Sequence, residues 1–447
     1  MSGRTLRIGA GAGFSGDRIE PALDLLERGG LDYLAFECLA ERTIGLAQAE
    51  RQANPGRGYD PLLEARMTAA LPIAARNGVR IISNMGAANP VAAAQETTRI
   101  ARDLGLAGYR TAAVTGDDVL DLVMGGDYPL LDREGVSRDL AGSVVSANAY
   151  LGVEGIVSAL AGNASVVLTG RVCDPALFLA PLVHEFGWAA DDWALLGQGT
   201  LVGHMLECAG QLTGGYFANP GFDDVPDLAN LGFPFAEVSA DGAAVFGKLD
   251  GTGGCLTEAT CKQQMLYEIL DPGSYLQADV AADFRGARIE DQGGDRVRVI
   301  GGSGRARPET LKVSICYEDG YAGEGQISYG GPGAEARGQL ALEIVRERLA
   351  RSGIAFSNLR LELIGVNAID RRSARPDREP GEVRVRVAAQ SGSQHDAERI
   401  GAEVEALYTN GPMGGGGVSR STRKVVAVAS TLIDRRLVTP RIHWEVA

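Results

Sequence analysis

The chain has 447 residues, 45% of them hydrophobic and 22% charged, and a formal net charge of −14. That length is too great for one ordinary core and predicts two domains or more. The acidic balance argues against nucleic acid or an anionic membrane as main partner, since both require a basic footprint.

No apolar run approaches the roughly 20 residues of a membrane span. The N-terminus, MSGRTLRIGAGAG, lacks the apolar segment of a signal peptide. Six Cys in so long a chain, with no CxxC pair, make no disulfide framework. The expected protein is reduced and cytoplasmic.

The first part alternates strand-like and helix-like segments. TLRIGAGAG (5–13) reads as a strand and DRIEPALDLLERGG (17–30) as a helix ended by glycines. LDYLAFECLA is a second strand, 60–78 a helix interrupted by Pro72, and VRIISNM a third strand. A helix with Pro90 in its first turn follows, then the strands YRTAAVTGD and ASVVLTGRV. This order predicts βαβ units in an open, mostly parallel, doubly wound sheet. The middle of the chain reads as a helix (199–215), a long loop rich in Gly, Pro and aromatic residues (214–235), and short strands. From residue 310 the order is β-α-β-β-α-β, the split pattern of ferredoxin-like folds. The expected class is therefore α/β. An N-terminal α/β domain spans 1–235, a glycine-rich connecting region with short strands 236–309, and a C-terminal α+β domain 310–447.

In an open parallel sheet, ligands bind beyond the carboxyl ends of the strands. Those ends carry Glu37, Asn84, Asp117, Arg171 and Asp174. Each polar residue alone reads as a cap or a turn; five sets together predict a crevice. GAGFSG (11–16) matches GxGxxG, with Glu37 about twenty residues on, as in a dinucleotide fingerprint. Asp17 opposes that reading, because a carboxylate at the helix start repels a pyrophosphate. No bound NAD or FAD is expected. His204 and Glu207 fall at i, i+3 on one helix, too few for a metal site. In GTGGCLTEATCKQQMLYEI (251–269), three glycines run into a helix expected to begin near Cys255. Gly253 and Gly254 allow close backbone approach to a ligand. Cys255 is either a thiolate activated by the helix start or a small buried residue. The run 414–417, four glycines, is either a flexible hairpin or a place of close approach by a ligand or subunit.

Five blocks, LDYLAFECLAERT, SNMGAANP, NAYLGVEGI, LTGRVCDPALFLAPLVHEFGW and GGCLTEATCKQQMLYEI, together resemble the acyclic terpene utilisation family, of the AtuA type, over essentially the whole chain. The resemblance implies a place in the breakdown of acyclic terpenoids and branched acids, beside acyl-CoA carboxylases, dehydrogenases and hydratases. Many members carry a further C-terminal ferredoxin-like extension. This chain is expected to lack it, that small ferredoxin-like domain being either absent or a separate partner subunit. The blocks carry no settled catalytic residues; they mark Glu37, Glu41, Arg42, Asn84, Asn89, Arg171 and Asp174 as site positions.

The resulting expectation is an enzyme acting on a carboxylate or CoA thioester of a branched acid, by hydration, dehydration or C–C cleavage. Glu37, Asp174 and Asp117 are the candidate catalytic carboxylates. Gly11, Gly13, Asn84, Asn89, Arg171, Gly253 and Gly254 are the candidate substrate-binding residues, Arg171 as a bidentate carboxylate clamp, and Cys255 is the candidate nucleophile. No metal is expected, and no cofactor beyond coenzyme A as part of the substrate. A homo-oligomer is the expected assembly. Two other readings stay open: a nucleotide-dependent oxidoreductase using the turn 11–16, and a non-catalytic scaffold subunit.

Overall fold

The structure, a computed structural model, describes residues 4–370 and 380–447. It divides into two compact units: residues up to 316 together with 428–447, and residues 317–427.

The first unit is built on a ten-stranded sheet. Its strands are β1 (Thr5–Ala12), β2 (Tyr33–Phe36), β3 (Arg80–Ser83), β4 (Arg110–Thr115), β5 (Val166–Thr169), β6 (Pro234–Ser239), β7 (Ala244–Lys248), β8 (Arg288–Gly293), β9 (Arg296–Ile300) and β10 (Arg441–Val446). Their order is β8-β9-β7-β6-β1-β2-β3-β5-β4-β10. The run β1-β2-β3-β5-β4 is parallel throughout. These are the five strands expected from the sequence. Every residue of β2 and β5 is buried, as the central strands of a covered parallel sheet require.

The helices between them read as amphipathic or apolar segments with recognisable ends. Glu20–Arg28 buries Ala22, Leu25 and Leu26 along one stripe. Asn89 caps Pro90–Asp103 through its side chain, and Leu63–Asn77 ends on Gly78 in the left-handed region. Trp193–Glu207 is buried from Leu196 onward. It lies against a small three-stranded sheet, where a Cβ on Gly197 would stand 2.0 Å from the Ser303 carbonyl oxygen.

Two features differ from the expected domain layout. The region 236–309 is not a connector, because β7, β8 and β9 with β6 extend the main sheet antiparallel beyond β1. The chain end is not part of the C-terminal unit either: β10 pairs antiparallel with β4, Ile442 opposite Val114. Antiparallel additions leave no βαβ signature, so short strands were legible there but their partners were not.

The second unit is the split β-α-β-β-α-β arrangement. Strands Ser357–Ile364 and Glu382–Ser391 and the strands that enter and leave the unit, Thr310–Gly330 and Gly416–Asp434, form a sheet ordered, in chain numbering of these four, second, third, first, fourth, with helices Ala334–Arg351 and Gln394–Glu405 between them. Strict alternation in Glu382–Ser391 buries Val383, Val385 and Val387 with Leu342, Val345, Ile400 and Val404 of the two helices. The run 414–417 forms the turn into the last strand, where the Arg337 and Arg384 side chains hold the Met413 and Gly417 carbonyls at 3.1 Å each.

Gly197 gives a direct test of the packing. Gly197→Ala should cost about 1–3 kcal/mol through overpacking. Gly56→Ala should be near neutral, since its Cβ would make only an ordinary contact at 3.5 Å. Urea denaturation of the two variants beside the parent chain checks the contrast.

Candidate active site

β2 delivers Glu37 and Cys38 into a tight turn before helix Glu41–Ala53. The Glu37 carboxylate folds back: Oε1 accepts from the Leu39 N–H at 2.9 Å and from Asn84 Nδ2 at 2.9 Å. Asn84, at the end of β3, accepts the Cys38 N–H at 2.7 Å. At the end of β4, Asp117 Oδ2 accepts the Arg171 N–H and Asn148 Nδ2, each at 2.9 Å. Arg171, following β5, is 1% exposed. Its guanidinium donates to the Leu39 carbonyl, to the Val172 carbonyl (2.8 Å from Nε) and to the Asp174 carboxylate, and lies 4.6 Å from the centre of the Tyr150 ring. Glu37, Asn84, Asp117 and Arg171 thus belong to one hydrogen-bonded network running through Leu39.

That network is a floor. Above it opens a cavity of about 420 Å³ whose polar lining includes Glu41, Tyr150, Asp174, Glu268 and Lys312. Leu131, Leu276, Leu311 and Leu432 supply apolar lining. The Tyr150 hydroxyl donates to Glu41 Oε1 at 2.7 Å and stands 3.2 Å from the Ser314 hydroxyl. Lys312 Nζ lies 3.3 Å from Glu41 Oε1 and 4.8 Å from the centre of the Tyr150 ring. Asp174 keeps 37% of its side chain exposed while paired with buried Arg171.

The carboxyls of this region are set far apart. Burial raises Glu37 to about 7, against the pull of the Arg171 guanidinium. Burial raises Asp117 to about 6 in the same way. Burial would also raise Glu41. The Tyr150 hydroxyl, its own backbone N–H, Lys312 and Arg171 overcome that and bring it to about 2. Glu41 is moreover the first residue of its helix, where the dipole favours an anion. Burial pushes the Cys173 thiol up to about 12, so this cavity-lining cysteine is neutral.

The other expected site residues fall elsewhere. Gly11 packs on the Phe36 ring, and a Cβ on Gly13 would strike the Cys208 backbone at 2.6 Å. Asn89 caps a helix and holds the Pro55 and Arg57 carbonyls. Gly253 and Gly254 are buried, and their N–H groups are taken by the Asn230 and Pro226 carbonyls at 2.8 Å each. Neither they nor Cys255 line the cavity. The helix expected near Cys255 begins at Glu258, with Thr257 as its cap, because the Cys255 and Leu256 N–H groups bond instead to the Thr213 carbonyl and to Asp295. Burial raises the Cys255 thiol, the opposite of activation. Arg171 cannot serve as the expected clamp, since its guanidinium is already committed to two carbonyls and Asp174.

Lys312, Tyr150 and Ser314 were missed. Thr310, Lys312 and Ser314 alternate with apolar residues along one strand, so a polar face was visible, but nothing in the sequence said what it faced. The pair expected at i, i+3 does form: His204 Nδ1 and Glu207 Oε1 are 2.8 Å apart in the interior. Among the described residues, no group of three or more His, Cys, Asp or Glu could hold a metal. No helix among them is long and apolar enough to cross a membrane.

Fold and cavity define an α/β protein that carries a pocket of mainly apolar lining with several charged groups, beyond its parallel strands. The chain belongs to the acyclic terpene utilisation family, AtuA, whose model matches residues 6–444. No curated protein matches it.

Glu37 makes stability depend on pH with a definite sign. Its folded value, about 7, lies above the ordinary 4.5. The folded state therefore holds the extra proton between these values, and stability falls as pH rises through that window and levels off above it. Asp117 and Asp279, both raised to about 6 by burial, act in the same direction. Glu37→Gln should remove part of this loss, on the order of 3 kcal/mol between pH 4 and 8. Urea midpoints of both proteins across that range would show it; parallel curves would contradict it.

Proposed function

We propose that the protein is an enzyme of acyclic terpene breakdown that moves a proton on a branched acid or its CoA thioester. The observation that carries the reading is the divided lining of the 420 Å³ cavity, leucines for a branched hydrocarbon and charged groups for its acyl end. Lys312 is the cavity cation with an exposed side chain, 44% of it. It would hold a carboxylate or thioester oxygen and stabilise negative charge developing there. Glu41, itself held by the Tyr150 hydroxyl, and the Tyr150 ring fix that ammonium in place. Asp174 is partly exposed, oriented by Arg171 and suited to take a proton from the carbon next to the carbonyl. Loss of a β-hydroxyl from the resulting enolate, as water carrying the proton that Asp174 has taken, gives a dehydratase; in a lyase Asp174 takes the β-hydroxyl proton, the C–C bond breaks to release the same enolate, and the proton returns to its α-carbon.

The oxidoreductase alternative is disfavoured by one contact. Asp17 Oδ2 accepts the Gly13 N–H at 2.9 Å, so a carboxylate occupies the turn where a pyrophosphate would sit. Six unpaired cysteines fit a reducing compartment such as the cytoplasm.

Hydrogen exchange from D2O into the α-carbon of a branched ten-carbon acid or its CoA thioester, followed by NMR, reads the proposed step whichever bond breaks next. Asp174→Asn should slow exchange by about 100-fold or more. Lys312→Met should weaken substrate binding and slow exchange. Full exchange in both variants, or none in the parent, defeats the proposal; so does a pathway that needs the protein but tolerates Asp174→Asn.

A further inference from the structure

A second cavity, of about 400 Å³, lies beyond the end of β1. Its lining includes Phe14, Arg18, Gln211, Tyr216 and Tyr267. It adjoins the first cavity: Tyr267 lines one and Glu268, the next residue, lines the other.

Three observations mark this cavity as built for a ligand. Rings are held open to solvent, with Tyr216 85% and Phe14 59% exposed, where burial would be favourable. The backbone around it is strained. Ala209 (φ 42°), Tyr216 (63°), Asp227 (43°) and Glu268 (61°) are all left-handed, and each lines the cavity or adjoins a lining residue. Such conformations cost free energy and gather at functional sites. Gln211 holds its Nε2 buried without a hydrogen-bond partner, a cost that a ligand acceptor would relieve.

We infer that this second cavity is the subsite for the adenine nucleotide end of a CoA thioester whose acyl group occupies the first. Flat rings suit a purine face, and a side-chain amide can pair with its edge. The phosphates cannot use the glycine turn, because the Asp17 carboxylate holds the Gly13 and Arg18 N–H groups. They fall to the half-exposed Arg18 guanidinium, which gives one hydrogen bond to the Ala229 carbonyl at 3.2 Å and lies 3.7 Å from the exposed Glu20 carboxylate, a partner the phosphates would displace. The inference rests on the first cavity being the acyl site, and it selects the thioester over the free acid.

Calorimetric titration of the full chain with coenzyme A, and separately with ADP, tests it. Both should bind and compete. Tyr216→Asn, which removes the ring but tolerates a positive φ, should weaken both by about tenfold or more. Tyr216→Phe should keep the affinity, and Arg18→Ala should lose about tenfold. No binding of either probe at about 1 mM, or binding indifferent to Tyr216→Asn and Arg18→Ala, overturns the subsite. Binding of ADP without coenzyme A overturns the thioester assignment. Lys312-dependent exchange on the free acid, alongside absent coenzyme A binding, would sink the subsite and leave the acyl site standing.

Discussion

The buried guanidinium of Arg171 is the tie on which the candidate site depends. A charge in a protein interior is tolerated only when hydrogen bonds and a counter-charge replace the water it has lost. Arg171 finds these replacements in the Leu39 and Val172 carbonyls and the Asp174 carboxylate. Because Leu39 belongs to the turn after β2 and Asp174 to the turn after β5, satisfying one side chain fixes two strand ends together. Its backbone N–H adds a third, through Asp117 after β4.

The same cation pulls down two carboxylates that lie four residues apart in sequence, and their other surroundings set them apart. Glu37 is fully enclosed, with amide donors and the field of Arg171, and these do not offset its lost hydration. Glu41 has the Tyr150 hydroxyl, Lys312 and a helix start, and these do. One is held near neutrality and the other fully ionised. Unlike environments for like groups are how one fold assigns unlike roles. Here the ionised member faces the cavity, and the one that can hold a proton at neutral pH lies in the floor beneath it.

What could be read from the sequence follows from what is local. The parallel strands were legible because apolar runs such as YLAF and VVLT end abruptly in polar residues, and the split β-α-β unit because its periods alternate cleanly between 2 and 3.6. The clustering of Glu37, Asn84, Asp117 and Arg171 followed from strand topology. Their orientation did not. The sequence leaves Arg171 a free fork, yet beside Asp174 its partners are two carbonyls, which every residue carries and no pattern announces. Gly253 and Gly254 were read as ligand-facing, yet their N–H groups pair with Asn230 and Pro226, residues whose proximity is set by a long loop. Lys312 lies some 270 residues after Glu41, and no local rule joins them.

That separation has a structural consequence. The cavity takes Glu41 and Tyr150 from the parallel sheet region, Tyr275 and Leu276 from the small sheet, Lys312 from the strand leading out of the first unit, and Leu432 from the strand leading back. The return is anchored at several points: the Leu131 N–H bonds to the Ser430 carbonyl at 2.8 Å, Arg435 holds the Ala278 and Pro308 carbonyls, and β10 pairs along β4. Leu131 and Leu432, which supply part of the apolar lining, flank that first anchor. The cavity is thus complete only once residues 428–447 have joined the rest of the first unit. A site dispersed in this way tolerates change within each segment better than change in how the segments meet. The contacts that set its shape are therefore the backbone pairings at Leu131 and β10 as much as the charged groups that give it chemistry.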